Sequence, residues 1–157
     1  MKMRASPVPP PIWTLIFAMA MWGLDRYYPL LSVIPAPWNE LGWYVMAIGP
    51  VAPIAAFVQF RKAGTTVNPH RPETARALVS SGVYRWTRNP MYLGLLLVLV
   101  GWAVALGRLS EMAGPPLFIV LLERVQIRPE ELALRRRFGE DYDRFCHQVN
   151  RWIGRRA

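Results

Sequence analysis

Residues 41–60 read LGWYVMAIGPVAPIAAFVQF, a run free of Asp, Glu, Lys and Arg that is closed at once by Arg61 and Lys62. About 20 apolar residues is the length an α-helix needs to cross the hydrocarbon core of a bilayer, and a pair of cations at its end suits the headgroup layer. Two further runs, 12–34 and the one opening at Met91, have the same character. A fourth, 112–122, is short and carries Pro115 and Pro116 near its start. Residues 91–125 therefore read as a helical hairpin whose second arm is tilted, kinked or incompletely spanning. The 53% apolar content is near the soluble average, so the arrangement of these residues, not their number, points to a membrane. The expected fold is all-α and integral to the membrane, a single membrane domain over 1–157 with about four transmembrane helices.

The cations orient it. Of 19 Lys and Arg, 2 precede Ile12, 6 lie between Arg61 and Arg88, and 9 follow from Arg124 onward, while the connector 29–40 carries none. The positive-inside rule then places both termini and the middle loop in the cytoplasm, and four crossings satisfy that parity. A net charge of +9 is explained by topology and anionic lipid, so no nucleic-acid partner is expected. Cys146 is the single cysteine, and His70 and His147 are the only histidines, which leaves neither an intrachain disulfide nor a metal site to expect. The basic N-terminus resembles the start of a signal peptide, but no small-residue cleavage site follows, and the reading is a retained first helix. Asp25 and Arg26 read as the outer end of that helix at the lipid interface.

The loop 61–89 is longer than a connection requires, as loops that act usually are. After it, 129–150 reads as one amphipathic cytoplasmic helix: Pro129 suits a first helical position, and Leu134, Phe138, Tyr142, Phe145 and Val149 form a stripe at helical spacing. Four residues before Leu134, Glu130 falls on the same face, whereas Glu131 pairs by spacing with Arg135 and reads as solvated. A carboxylate on a packed face needs a partner. Either a loop arginine such as Arg76 or Arg88 supplies it, or a ligand does.

The densest group of chemically able residues is the stretch 81–94, SGVYRWTRNPMYLG. Asn89 and Pro90 open a helix at the membrane surface, whose first amides, with Arg88, Tyr84 and Tyr92 beside them, offer a site for a ligand. The same residue types also belong in an interfacial belt.

This element, followed by Glu130-Glu131, Leu134, Phe138-Gly139, Tyr142, Phe145 and then Val149, Arg151 and Trp152, resembles the isoprenylcysteine carboxyl methyltransferase and phospholipid methyltransferase group of integral membrane enzymes. The resemblance covers roughly 64–152. It implies methyl transfer from S-adenosylmethionine at the cytoplasmic face of a cell inner or plasma membrane, to a hydrophobic or lipid-anchored acceptor drawn from the bilayer. Carried over by motif, Arg76, Ala77, Leu78, Val79, Tyr84, Asn89, Pro90, Met91, Tyr92 and Glu130 line the cofactor pocket, with Arg88, Tyr92 and Glu130 as candidate catalytic residues. The family often has His where Asn89 stands, and an amide offers no acid or base. Where its carboxyl methyltransferases place a substrate-binding arginine, straight counting gives Gln126, flanked by Arg124 and Arg128 as substitutes. An amine, a thiol or a lipid headgroup is as compatible an acceptor as a carboxylate. The competing readings are an NADPH-dependent membrane reductase of the sterol type, which has a similar Arg-x-Pro-x-Tyr element, and a non-catalytic membrane subunit.

Overall fold

The structure is a computed structural model that describes residues 6–62, 64 and 78–155. Arg76 and Ala77 lie outside the described residues, as does most of the loop that holds them. Among the described residues every regular element is helical, and extended pairing is limited to the isolated bridges Ser32–Arg108 and Val149–Arg155. The helices are α1 (Pro10–Tyr27), α2 (Leu41–Ile48), α3 (Val51–Lys62), α4 (Pro90–Leu106), α5 (Leu109–Met112), α6 (Gly114–Leu122), α7 (Arg128–Phe138) and α8 (Glu140–Gln148).

Among the described residues one helical run, Trp38–Lys62, is long and apolar enough to cross a membrane by length and composition; it joins a short 3-10 turn, α2 and α3. Gly49 and Pro50 separate α2 from α3, because proline brings no N–H to continue the ladder. At 17 residues, α4 is apolar but shorter. The first helix ends at Tyr27 and not near 34, with Asp25 and Arg26 in its last turn and Pro29 just beyond. The second arm of the expected hairpin is the nine-residue α6, which begins at Gly114 with its two prolines in the first turn, where their missing N–H groups cost little. A π-helical turn, Glu123–Ile127, then leads into α7.

The chain divides into two compact units. One comprises Val8–Pro50 and Gly94–Leu122. Within it, α2 and α4 meet backbone to backbone: a Cβ built on Gly42 would lie 2.3 Å from the Gly101 carbonyl oxygen, and one on Gly101 would lie 2.5 Å from the Gly42 oxygen. Small residues allow this close approach of two helix backbones. Trp102 donates its indole N–H to the Ala18 carbonyl at 3.0 Å, and Phe17 and Phe118 stack edge to face. The Arg108 guanidinium holds Asp25 at 2.6 Å.

The other unit takes Met1–Pro7, Val51–Leu93 and Glu123–Ala157. Its core gathers Ala56, Val79, Tyr84, Tyr142, Phe145 and Val149, with Leu134 and Phe138 packed against them. All five residues of the C-terminal apolar stripe thus face one core. Four of them do so from two helices, not the single helix expected over 129–150, and Val149 follows the second in extended conformation. Gly139 takes φ +53°, a conformation glycine adopts without penalty; it closes α7 by donating to the Arg135 carbonyl, and its own carbonyl accepts the first bonds of α8. The turn Gly82–Arg85 docks on α3, where Ser81 donates its hydroxyl to Gln59 at 3.2 Å.

Candidate functional site

The opening of α4 is held by the chain's tail. The Arg88 amide donates to the Asn150 carbonyl at 3.1 Å, and the Gly154 amide donates to the Trp86 carbonyl at 2.8 Å. The Arg151 carbonyl accepts twice, from the Asn89 side-chain amide at 3.1 Å and from the Thr87 hydroxyl at 3.4 Å. Asn89 does precede the helix, since its own carbonyl accepts the Leu93 N–H. Its side-chain amide, however, donates to the tail.

Two residues along the helix, the Tyr92 hydroxyl donates to Glu130 Oε1 at 2.5 Å, bringing together the start of α4 and the first turn of α7. No cation among the described residues lies within ion-pair distance of Glu130. Burial accordingly pushes its carboxyl up to about 8; the neighbouring Glu131 charge acts in the same direction, and the Tyr92 hydrogen bond opposes it without prevailing. Tyr84 is buried in the core with its ring edge-on to Phe60, and burial together with Glu130 raises its phenol well above the ordinary value.

Glu131 is not a solvated residue paired with Arg135. Arg151 grips it with two parallel bonds of 3.0 and 2.7 Å, and Arg88 approaches it at 3.1 Å. Arg151 also reaches Glu123 at 3.2 Å, and the Trp152 indole donates to that same carboxylate at 2.8 Å. Arg135 instead holds Asp143 of α8 at 2.6 Å. The helical i,i+4 pairing is worth only a few tenths of a kcal/mol. A planar guanidinium arriving from a distant segment with bidentate geometry outweighs it. Arg88 is spoken for in the same way: beyond Glu131, its guanidinium lies 2.6 Å from the Cys146 sulfur, and it does not meet Glu130.

Leu78, Val79 and Met91 belong to the apolar core of this unit, and Pro90 is fully buried. The three candidate substrate residues separate: Gln126 is buried, whereas Arg124 and Arg128 are exposed. Arg124 and Gln126 lie in the π-helical turn Glu123–Ile127, and Arg128 opens α7 just after it. A recess of about 310 Å³ lined by Ser80, Ser81, Arg85, Phe145, Gln148, Val149 and Arg155 lies in the same unit and includes neither Tyr92 nor Glu130. Among the described residues no group of three or more His, Cys, Asp and Glu is arranged to hold a metal ion. Sequence spacing missed Glu123 and Arg151 as partners of this site; Arg151 stands in the C-terminal motif, but no local period announces a bond to residues 20 and more positions away.

A family model described as phospholipid methyltransferase matches residues 38–141. Two rice proteins, from Oryza sativa subsp. indica and subsp. japonica, each described as a probable protein-S-isoprenylcysteine O-methyltransferase, are 33% identical over 116 residues. That match covers 71% of this chain and 59% of each rice protein, so the chain spans little more than half of their length. An uncharacterized protein of Haemophilus influenzae (strain ATCC 51907 / DSM 11121 / KW20 / Rd) is 40% identical over 63 residues, which is 40% of this chain and the whole of that protein.

Proposed function

We propose, from the premise that this chain belongs to the phospholipid methyltransferase family, that it transfers a methyl group from S-adenosylmethionine to a hydrophobic or lipid-anchored acceptor at the cytoplasmic surface of a membrane. One observation carries the cofactor: a carboxyl group fixed by a tyrosine hydroxyl, with no described cation beside it, on the two motifs that carry the family likeness. The residues fit a cationic ligand. Glu130 supplies the negative charge, and the Tyr92 oxygen and the ring of Tyr84 surround it with groups that favour a cation.

When bound, S-adenosylmethionine supplies an electrophilic methyl group on a positively charged sulfur. Glu130 and Tyr92 hold position through their 2.5 Å bond, and that rigidity is what alignment of the reacting atoms demands. The apolar core around Tyr84 and Met91 excludes water from one side. No strong base is required of the protein, in keeping with an amide at Asn89.

Titration calorimetry of the detergent-purified protein tests this reading. Saturable binding of S-adenosylmethionine and S-adenosylhomocysteine is expected, and none of NADPH. Binding of NADPH alone would replace the reading with a reductase, and binding of neither would leave a non-catalytic membrane protein.

The accompanying topology is four crossings with both termini in the cytoplasm, supported by the run Trp38–Lys62 and by the cation-free connector 29–40. In a Cys146→Ser background, an impermeant maleimide is expected to label Leu31→Cys from the outer face and Leu132→Cys only after permeabilisation. Both positions are exposed. Labelling of both from one side would overturn the topology.

A further inference from the structure

Arg151 stands at the meeting point of everything that holds the Tyr92–Glu130 pair. On one side its carbonyl accepts from Asn89 and Thr87, the residues that open α4 and so set the register of Tyr92. On the other side its guanidinium takes Glu131 in a bidentate grip, and Glu131 is the neighbour of Glu130 in the first turn of α7. A third bond, to Glu123, ties it to the π-helical turn from which α7 grows. The adjoining residues strengthen the hold: Asn150 accepts the Arg88 N–H, Gly154 donates to Trp86, and Trp152 donates to Glu123.

We infer that Arg151 is a positioning residue, a clasp that fixes the donor and the acceptor of the Tyr92–Glu130 bond at once and neutralises the carboxylate beside Glu130. Planar, five-donor geometry suits arginine alone to this work, because a lysine ammonium cannot reach two carboxylates while gripping one of them bidentately. The inference rests on the methyltransferase reading only in treating Tyr92–Glu130 as the working pair. The bonds themselves need no ligand.

A role in charge as well as in position follows from what surrounds Glu130. Among the described residues, the titratable or charged groups it feels are Tyr92 from α4, Tyr84 from the turn before it, and Glu131 on its own helix. Of these, Glu131 acts on it by its charge, and Arg151 and Arg88 are the counter-ions of Glu131. Removing Arg151 exposes Glu130 to more of that charge and makes it harder to ionise.

The test uses the full chain without ligand. The Glu130 carboxyl is followed by carbon NMR on glutamate-labelled protein, assigned by Glu130→Gln, and backbone hydrogen exchange is followed over 86–93. In Arg151→Gln, exchange in that segment is expected to rise at least tenfold, roughly the effect of losing one charge-assisted bond, and the Glu130 midpoint is expected to move up by roughly half a pH unit. Arg151→Lys separates the two roles: it should return the midpoint toward the wild-type value while exchange stays raised. Glu123→Gln, which loosens the clasp without leaving Glu131 unpaired, should raise exchange over 86–93 to a smaller extent, and it serves if Arg151→Gln does not fold. Unchanged exchange and an unchanged Glu130 midpoint in a folded Arg151→Gln protein would overturn the inference, as would an unchanged exchange in Glu123→Gln. Failure of S-adenosylmethionine to bind the wild-type protein would count against the cofactor reading and leave both readouts intact.

Discussion

Replacing Glu130 with glutamine is expected to weaken S-adenosylmethionine binding roughly tenfold to a hundredfold near pH 8, the range that corresponds to about 1.5–3 kcal/mol for a hydrogen bond to a charged group. Comparing ligands locates the contact. If Glu130 faces the sulfonium, the loss is confined to S-adenosylmethionine; if it faces the amino group that both cofactor forms carry, S-adenosylhomocysteine loses affinity equally. The pH dependence gives a second signature. The ligand-free carboxyl has its pKa near 8, so at neutral pH it is largely protonated, and a cation binds well only once that proton has left. Wild-type affinity should therefore fall as the pH drops below 8, by up to about tenfold per unit, with close to one proton released per ligand bound. Titration calorimetry in buffers of different ionisation enthalpy measures that proton directly. In Glu130→Gln the release should vanish and the affinity become flat with pH. A pH-independent affinity in the wild-type protein would remove Glu130 from the cofactor site.

Stability should respond with the opposite sign. Because folding raises the Glu130 pKa from 4.5 to about 8, the folded chain holds a proton the unfolded chain would release between those values. The contribution of this group to stability is therefore full below pH 4.5 and is lost as the pH rises through 8. Glu130→Gln removes that loss, so above pH 8 the variant should melt no lower than the wild-type protein even as it binds cofactor more weakly.

What the sequence disclosed about this region depended on how local each feature is. Glu130 was readable because one helical period, from Leu134, separates it from the apolar stripe, and α7 keeps that period. The opening of α4 was readable because Asn89 and Pro90 mark a helix start through their own backbone preferences. The break at Gly139 was not, although glycine is the usual stop signal, because the stripe continues across it: Phe138 and Tyr142 pack on the same core from two helices. The Arg88, Glu131 and Arg151 cluster was beyond reach, because its members are brought together by the return of the tail to the start of α4.

That cluster makes the second large prediction. Arg88 keeps 9% of its side-chain surface exposed, Glu131 18% and Arg151 28%, so their charges lie in a region where water compensates poorly. Glu131→Ala leaves two guanidinium groups facing each other without their shared carboxylate, and breaking such a pair one-sidedly costs several kcal/mol when fully buried. Discounted for the remaining exposure, a loss of about 2–3 kcal/mol is expected, seen as a fall in melting temperature of roughly 5–10 °C. Glu131→Gln, which keeps the volume and one acceptor oxygen, should lose less. Arg135→Ala provides the contrast: its bond to Asp143 is short at 2.6 Å, but both side chains are about half exposed, and its removal should leave the melting temperature unchanged. The two glutamates would then separate by what each variant loses. Glu130→Gln weakens cofactor binding with the fold intact, whereas Glu131→Ala forfeits stability together with the grip of Arg151 on the first turn of α7. Equal melting temperatures for Glu131→Ala and Arg135→Ala would mean that Glu131 is a surface residue after all, and the clasp built on it would have nothing to grip.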